Sequence, residues 1–115
     1  LEADAQAYLS LDDAARHRLR KRAKRLRYAV EFTAAWWPAK PLRRYLRRLA
    51  EVQAALGTCN DAVTALPLYR EAAAQDLRAW FAVGWLSAHQ QGCVQAADAA
   101  LQRFCAVKTP WGAAR

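Results

Sequence analysis

The sequence predicts an all-α fold, an antiparallel four-helix bundle, on three observations. Alanine, leucine and arginine dominate while β-branched residues are scarce, which favours helix over strand. Apolar residues recur at three- and four-residue steps, the period of helices with one buried face. Four glycines and four prolines are too few for a disordered or collagenous chain. A length of 115 residues, 55% of them hydrophobic, suits a single helical domain over 1–115 with one core.

Ala3 to Leu9 reads as the tail of a helix or as a short helix on its own. Ser10 is placed to cap the next one, with Asp13 three residues on as an imperfect capping-box partner. Asp12 and Asp13 also put negative charge at that helix's positive end. The helix should run through Glu31 to about Trp36, where Pro38 and Pro41 bound a tight connection. Trp36 and Trp37 are expected to plug the end of the bundle.

A second helix begins near Pro41, buries Leu42, Leu46, Leu49, Gln53 and Leu56, and ends before Gly57, which suits a left-handed terminal residue. Asn60 or Asp61 starts a third, containing Val63, Leu66, Tyr69 and Ala73 and kinked or cut short by Pro67. The fourth runs from about Asp76 to Val107 and carries the apolar residues Leu77, Phe81, Leu86, Val94, Leu101 and Phe104. Lys108-Thr109-Pro110-Trp111 ends it. Short connections make neighbouring helices antiparallel.

The charge is concentrated. Residues 17–28 hold eight basic side chains, histidine included, and no acid, in a chain of net charge +8. At about 100° per residue, His17, Arg20, Lys24, Arg27, Tyr28 and Glu31 share one band of the helix. Leu19, Ala23, Leu26 and Val30 share another, and Arg18, Arg22 and Arg25 take the remaining side. Like charges at i,i+4 destabilise a helix, a cost offset if a polyanion sits against them. Arg20, Lys24 and Arg27 recur about once per turn and suit an anion with repeated charges. Tyr28 can donate its phenolic hydrogen beside them, and Glu31 can hold an arginine in place. Arg43, Arg44, Arg47 and Arg48 extend this field if the second helix packs alongside.

Other chemistries are poorly supplied. His17 and His89 are the only histidines, and no HExxH, CxxC or paired-carboxylate spacing occurs. No enzyme activity, cofactor or metal is therefore expected. His17 has two open readings, a hydrogen bond to an anion or to a neighbouring helix. Without a glycine-rich phosphate loop, binding must use side chains. Three unclustered cysteines, Cys59, Cys93 and Cys105, read as reduced thiols in a cytoplasmic compartment. No apolar run reaches the roughly eighteen residues of a membrane span, so membrane insertion is not expected. Nucleic acid would also accept the basic helix, although Tyr28 is the one aromatic group there to read or stack a base. A helical assembly fragment with no ligand is a further alternative.

Two segments in order carry a specific likeness. His17-x-x-Arg20-x-x-x-Lys24-Arg25-Leu26-Arg27-Tyr28-x-x-Glu31 resembles the signature of the CHAD (conserved histidine α-helical) domain family. Leu49-x-x-Val52-Gln53-x-x-Leu56-Gly57-x-x-Asn60-Asp61 is similar to that family's following element. Gly84-Trp85-Leu86 and Pro110-Trp111 resemble its C-terminal region, while Thr58-Cys59 departs from the usual acidic and aliphatic pair. The resemblance implies a noncatalytic module for inorganic polyphosphate, in a family some of whose members associate with polyhydroxyalkanoate granules. It implies binding roles for His17, Arg20, Lys24, Arg25, Arg27 and Tyr28, to which the charge pattern adds Arg43 and Arg47. Glu31, Asn60 and Asp61 are expected to support them. A full CHAD domain has two helical halves flanking a basic channel, so the chain reads as the C-terminal half and as a fragment of something longer. Either a second copy or an N-terminal half is the expected partner.

Overall fold

The computed structural model describes residues 2–113. These form α1 (Glu2–Gln6), α2 (Asp13–Phe32), α3 (Ala39–Ala73), α4 (Ala79–Cys105) and α5 (Pro110–Ala113), with 3₁₀ turns at Tyr8–Ser10 and Ala34–Trp36. No strand occurs among the described residues. The all-α, bundle-like fold is as expected, but the division of the chain differs.

The cap of α2 is Asp12, whose carboxylate accepts the Ala15 N–H at 2.8 Å. Ser10 lies two residues too early and instead donates its hydroxyl to the Ala7 carbonyl at 2.7 Å. At the other end α2 stops at Phe32, earlier than Trp36. The Thr33 hydroxyl donates to the Ala29 carbonyl at 3.0 Å and accepts the Trp37 indole N–H at 2.9 Å, drawing the chain into the 3₁₀ turn. Trp37 does plug the bundle end. Its ring lies 5.7 Å from Trp111, which lies 5.6 Å from Tyr45, itself 5.0 Å from Phe104. Trp36 does not, and is 75% exposed.

The largest correction concerns Gly57 and Pro67. The expected second and third helices are one helix, α3, of 35 residues. Gly57 keeps a negative φ like its neighbours, and the absence of a side chain does not itself break a helix. Asn60 and Asp61 therefore lie inside α3 and not at a helix start. Pro67 deletes one backbone donor, yet Leu66 and Ala73 on either side of it are buried against Val83 of α4. That packing carries the helix through the proline.

α3 and α4 form a long hairpin closed at residues 74–78, where the Asp76 carboxylate accepts the Arg78 N–H and guanidinium. α2 packs along the first part of α3, while α1 and the turn after it pack on α4. Leu19, Ala23, Val30, Leu49, Val52, Leu56, Ala97, Leu101 and Phe104 make the main core. Leu42, Leu46 and Leu26 flank it half-buried. Leu77 and Phe81, by contrast, are 82% and 83% exposed. On α4 the buried positions are Val83, Cys93, Ala97, Ala100, Leu101 and Phe104, and among the described residues no third helix covers the opposite side of the hairpin tip.

Candidate functional site

The antiparallel seam between α2 and α3 decides which cations gather. The turn of α2 that buries Leu19 and Ala23 leaves His17, Arg20, Lys21 and Lys24 along the seam, where with Gln53 of α3 they line a groove. The groove continues inward past Arg16, His17 and Arg20 to Asn60, Cys59 and Tyr8. Asn60 thus brings the second sequence motif against the first. Asp61, next to it, is exposed and lines neither part.

Arg27 is held rather than free. Its Nε donates to Glu31 Oε1 and its Nη1 to Gln53 Oε1, both at 2.9 Å, so one guanidinium joins α2 to α3 at the end of the groove. Glu31 pairs with Arg27 one turn before it on α2. Lys24 Nζ lies 5.9 Å from the Tyr28 ring centroid, a cation–π contact that places Tyr28 under a lysine. Arg25 is on the far side of α2, five residues beyond Arg20 and about 140° round from it. It does not join the groove. Arg43 and Arg47 also stand apart from it, exposed on α3, with Arg47 turned to the opposite flank.

Three contributors escaped the sequence reading. Lys21 follows His17 by four residues, and that spacing could have found it. Gln53 looked like part of a buried stripe but is half-buried and turned to α2. Arg16 donates to the Leu9 carbonyl at 3.3 Å and lies 4.9 Å above the Tyr8 ring, while its Nε is buried without a hydrogen-bond partner. Behind it, burial pushes the Cys59 thiol up to about 11 and raises the Tyr8 phenol further. Both groups are neutral at ordinary pH, so the part of the wall that they form with Leu56, Val63 and Val94 is uncharged, and Asp13 is the one acid lining this inner end. Such a wall strengthens the field of the cations in front of it.

The arrangement offers an open row of cationic donors, and among the described residues no cluster of three or more His, Cys, Asp or Glu side chains is placed to hold a metal ion. Residues 1–70 match the family model described as CHAD domain. The chain belongs to the CHAD domain family. The match covers α1, α2 and α3 as far as Arg70, the part of the CHAD chain that builds the groove. Gly84-Trp85-Leu86 and Pro110-Trp111 lie outside it. Comparison with curated proteins and with solved structures gave no match. No helix among the described residues is long and apolar enough to cross a membrane.

Proposed function

We propose that this CHAD chain binds inorganic polyphosphate without transforming it, in the groove between α2 and α3. The observation that carries the reading is the convergence of His17, Arg20, Lys21 and Lys24 on one groove, with Arg27 fixed at its end by Glu31 and Gln53. Guanidinium and ammonium groups spaced along a helix satisfy successive phosphates of a flexible chain, and release of its counterions drives binding. Membership of the CHAD family agrees with this ligand. Nucleic acid is the poorer fit, because Tyr28, the exposed aromatic on the stripe, already lies under Lys24. A cytoplasmic or granule-associated placement enters the proposal only as a compartment in which polyphosphate is met.

Replacing Arg20, Lys21 and Lys24 together by glutamine tests the groove. Lys21 and Lys24 are exposed, Arg20 is half-buried at the groove and none of the three is in the core, so circular dichroism should stay native while calorimetric affinity for long-chain polyphosphate falls at least tenfold. The slope of log affinity against log salt should shrink by about one per phosphate contact removed. Unchanged affinity with native helicity would reject the groove as the site.

A further inference from the structure

The α2–α3 groove uses only part of the chain's positive charge. Lys40, Arg44, Arg47 and Arg48 of α3 converge with Arg103 of α4 and Lys108 just beyond it on a second cleft. Arg44 and Gln53 are nine positions apart on α3, about two and a half turns. The second cleft therefore opens on the flank of α3 opposite the groove that Gln53 lines.

The second cleft is organised by one acid. Glu51 Oε2 accepts from Arg48 Nη1 at 3.1 Å and lies 4.0 Å from Arg103 Nε, tying a guanidinium of each helix in place. Lys40, Arg44, Arg47 and Lys108 have no ion-pair partner among the described residues. Six cations against one carboxylate repel one another in a concave space, and an anion removes that cost. The positive end of α3 opens beside Lys40 and adds to the field. The remaining lining is Pro41, Ala106 and Val107. With no aromatic or amide side chain there, a base could be neither stacked nor read. Arginine forks matched to phosphate oxygens are what the cleft provides.

We propose that this cleft is a second condensed-phosphate site, so that one copy of the chain grips polyphosphate on two opposite flanks and can bridge two segments of it. The identity of the anion rests on the function proposed above; the cleft itself does not depend on the groove.

The test uses tripolyphosphate, followed by calorimetry at low salt, and then long-chain polyphosphate, followed by light scattering. The unaltered chain should take two tripolyphosphate ions. R44Q/R47Q/R103Q should take one, as should R20Q/K21Q/K24Q, with native circular dichroism in both. Long-chain polyphosphate should cross-link the unaltered chain into scattering assemblies and leave R44Q/R47Q/R103Q as small soluble complexes. A stoichiometry unchanged by R44Q/R47Q/R103Q, or no tripolyphosphate bound by the unaltered chain, would overturn the second site. Loss of no site in R20Q/K21Q/K24Q while R44Q/R47Q/R103Q loses one would instead sink the groove and leave the second site standing.

Discussion

Cys59 carries the pH dependence that single residues of this fold should show. Burial raises its thiol from 9.0 to about 11, so between those values the folded chain holds a proton that the unfolded chain has released. Stability is then fully present below pH 9.0 and falls as pH rises toward about 11. The raised Tyr8 phenol acts in the same direction at higher pH. Thermal unfolding followed across this alkaline window should show a decline, worth roughly 2 kcal/mol for the thiol, that is shallower in Cys59→Ala. An equal slope in both proteins would mean that Cys59 is not the group responsible. None of this was legible in the sequence, because an isolated cysteine in a helical stretch does not announce which face is buried. The cationic stripe was legible, since Arg20, Lys24 and Arg27 need only helical periodicity to be placed together. The partner of Arg27 on α3 was not, because Gln53 faces α2 through packing that no local pattern encodes.

At the scale of the elements, the continuity of α3 makes Gly57 a residue in the wrong conformational class for a terminator. Its φ is negative, and a Cβ built there meets nothing within 4 Å. Gly57→Ala should therefore stabilise the chain by about 0.5–1 kcal/mol, by lowering the entropy of the unfolded state without strain. A higher melting temperature would show it; destabilisation would mean that α3 breaks at Gly57 after all. The sequence placed the helices on composition and apolar period, and those signals held for α2 and for the ends of α3 and α4. It placed the boundary at Gly57 on local propensity. Packing against α4 outweighs a glycine cost of about 1 kcal/mol, as it does the lost donor at Pro67. The same tertiary preference sets the buried face of α4 at Val83, Cys93, Ala97, Leu101 and Phe104 and leaves Phe81 exposed.

As a whole molecule the chain is elongated, 60 × 23 × 20 Å with a radius of gyration of 17.2 Å, against about 13 Å for a compact domain of this size. The length comes from the hairpin tip that α2 leaves uncovered. Leu77, Phe81 and Trp85 stand there at successive four-residue steps, 82%, 83% and 59% exposed. Between Arg78 and Asp98 the sequence has no Lys, Arg, Asp or Glu despite the net charge of +8, and the flanking Arg78 is paired with Asp76, so this stretch of α4 brings little like charge to a second copy. At roughly 150–250 Å² per aromatic side chain, the row and neighbouring Trp80 expose several hundred Å², approaching the ~800 Å² per partner of a standard interface. Sedimentation equilibrium should accordingly find a dimer that Phe81→Asp dissociates with helicity retained. A monomer at high concentration and moderate salt would reject the pairing.

The two basic clefts thus lie along the part of the hairpin beside α2, and the exposed apolar row lies at its tip. The central claim concerns the clefts. Calorimetric titration of the chain with long-chain polyphosphate and with duplex DNA of equal phosphate content, across a range of salt, tests it most directly. Polyphosphate should bind the more tightly at every salt concentration, its affinity weakening linearly in log salt. Equal or tighter binding to the duplex, or no saturable binding to polyphosphate at low salt, would contradict it.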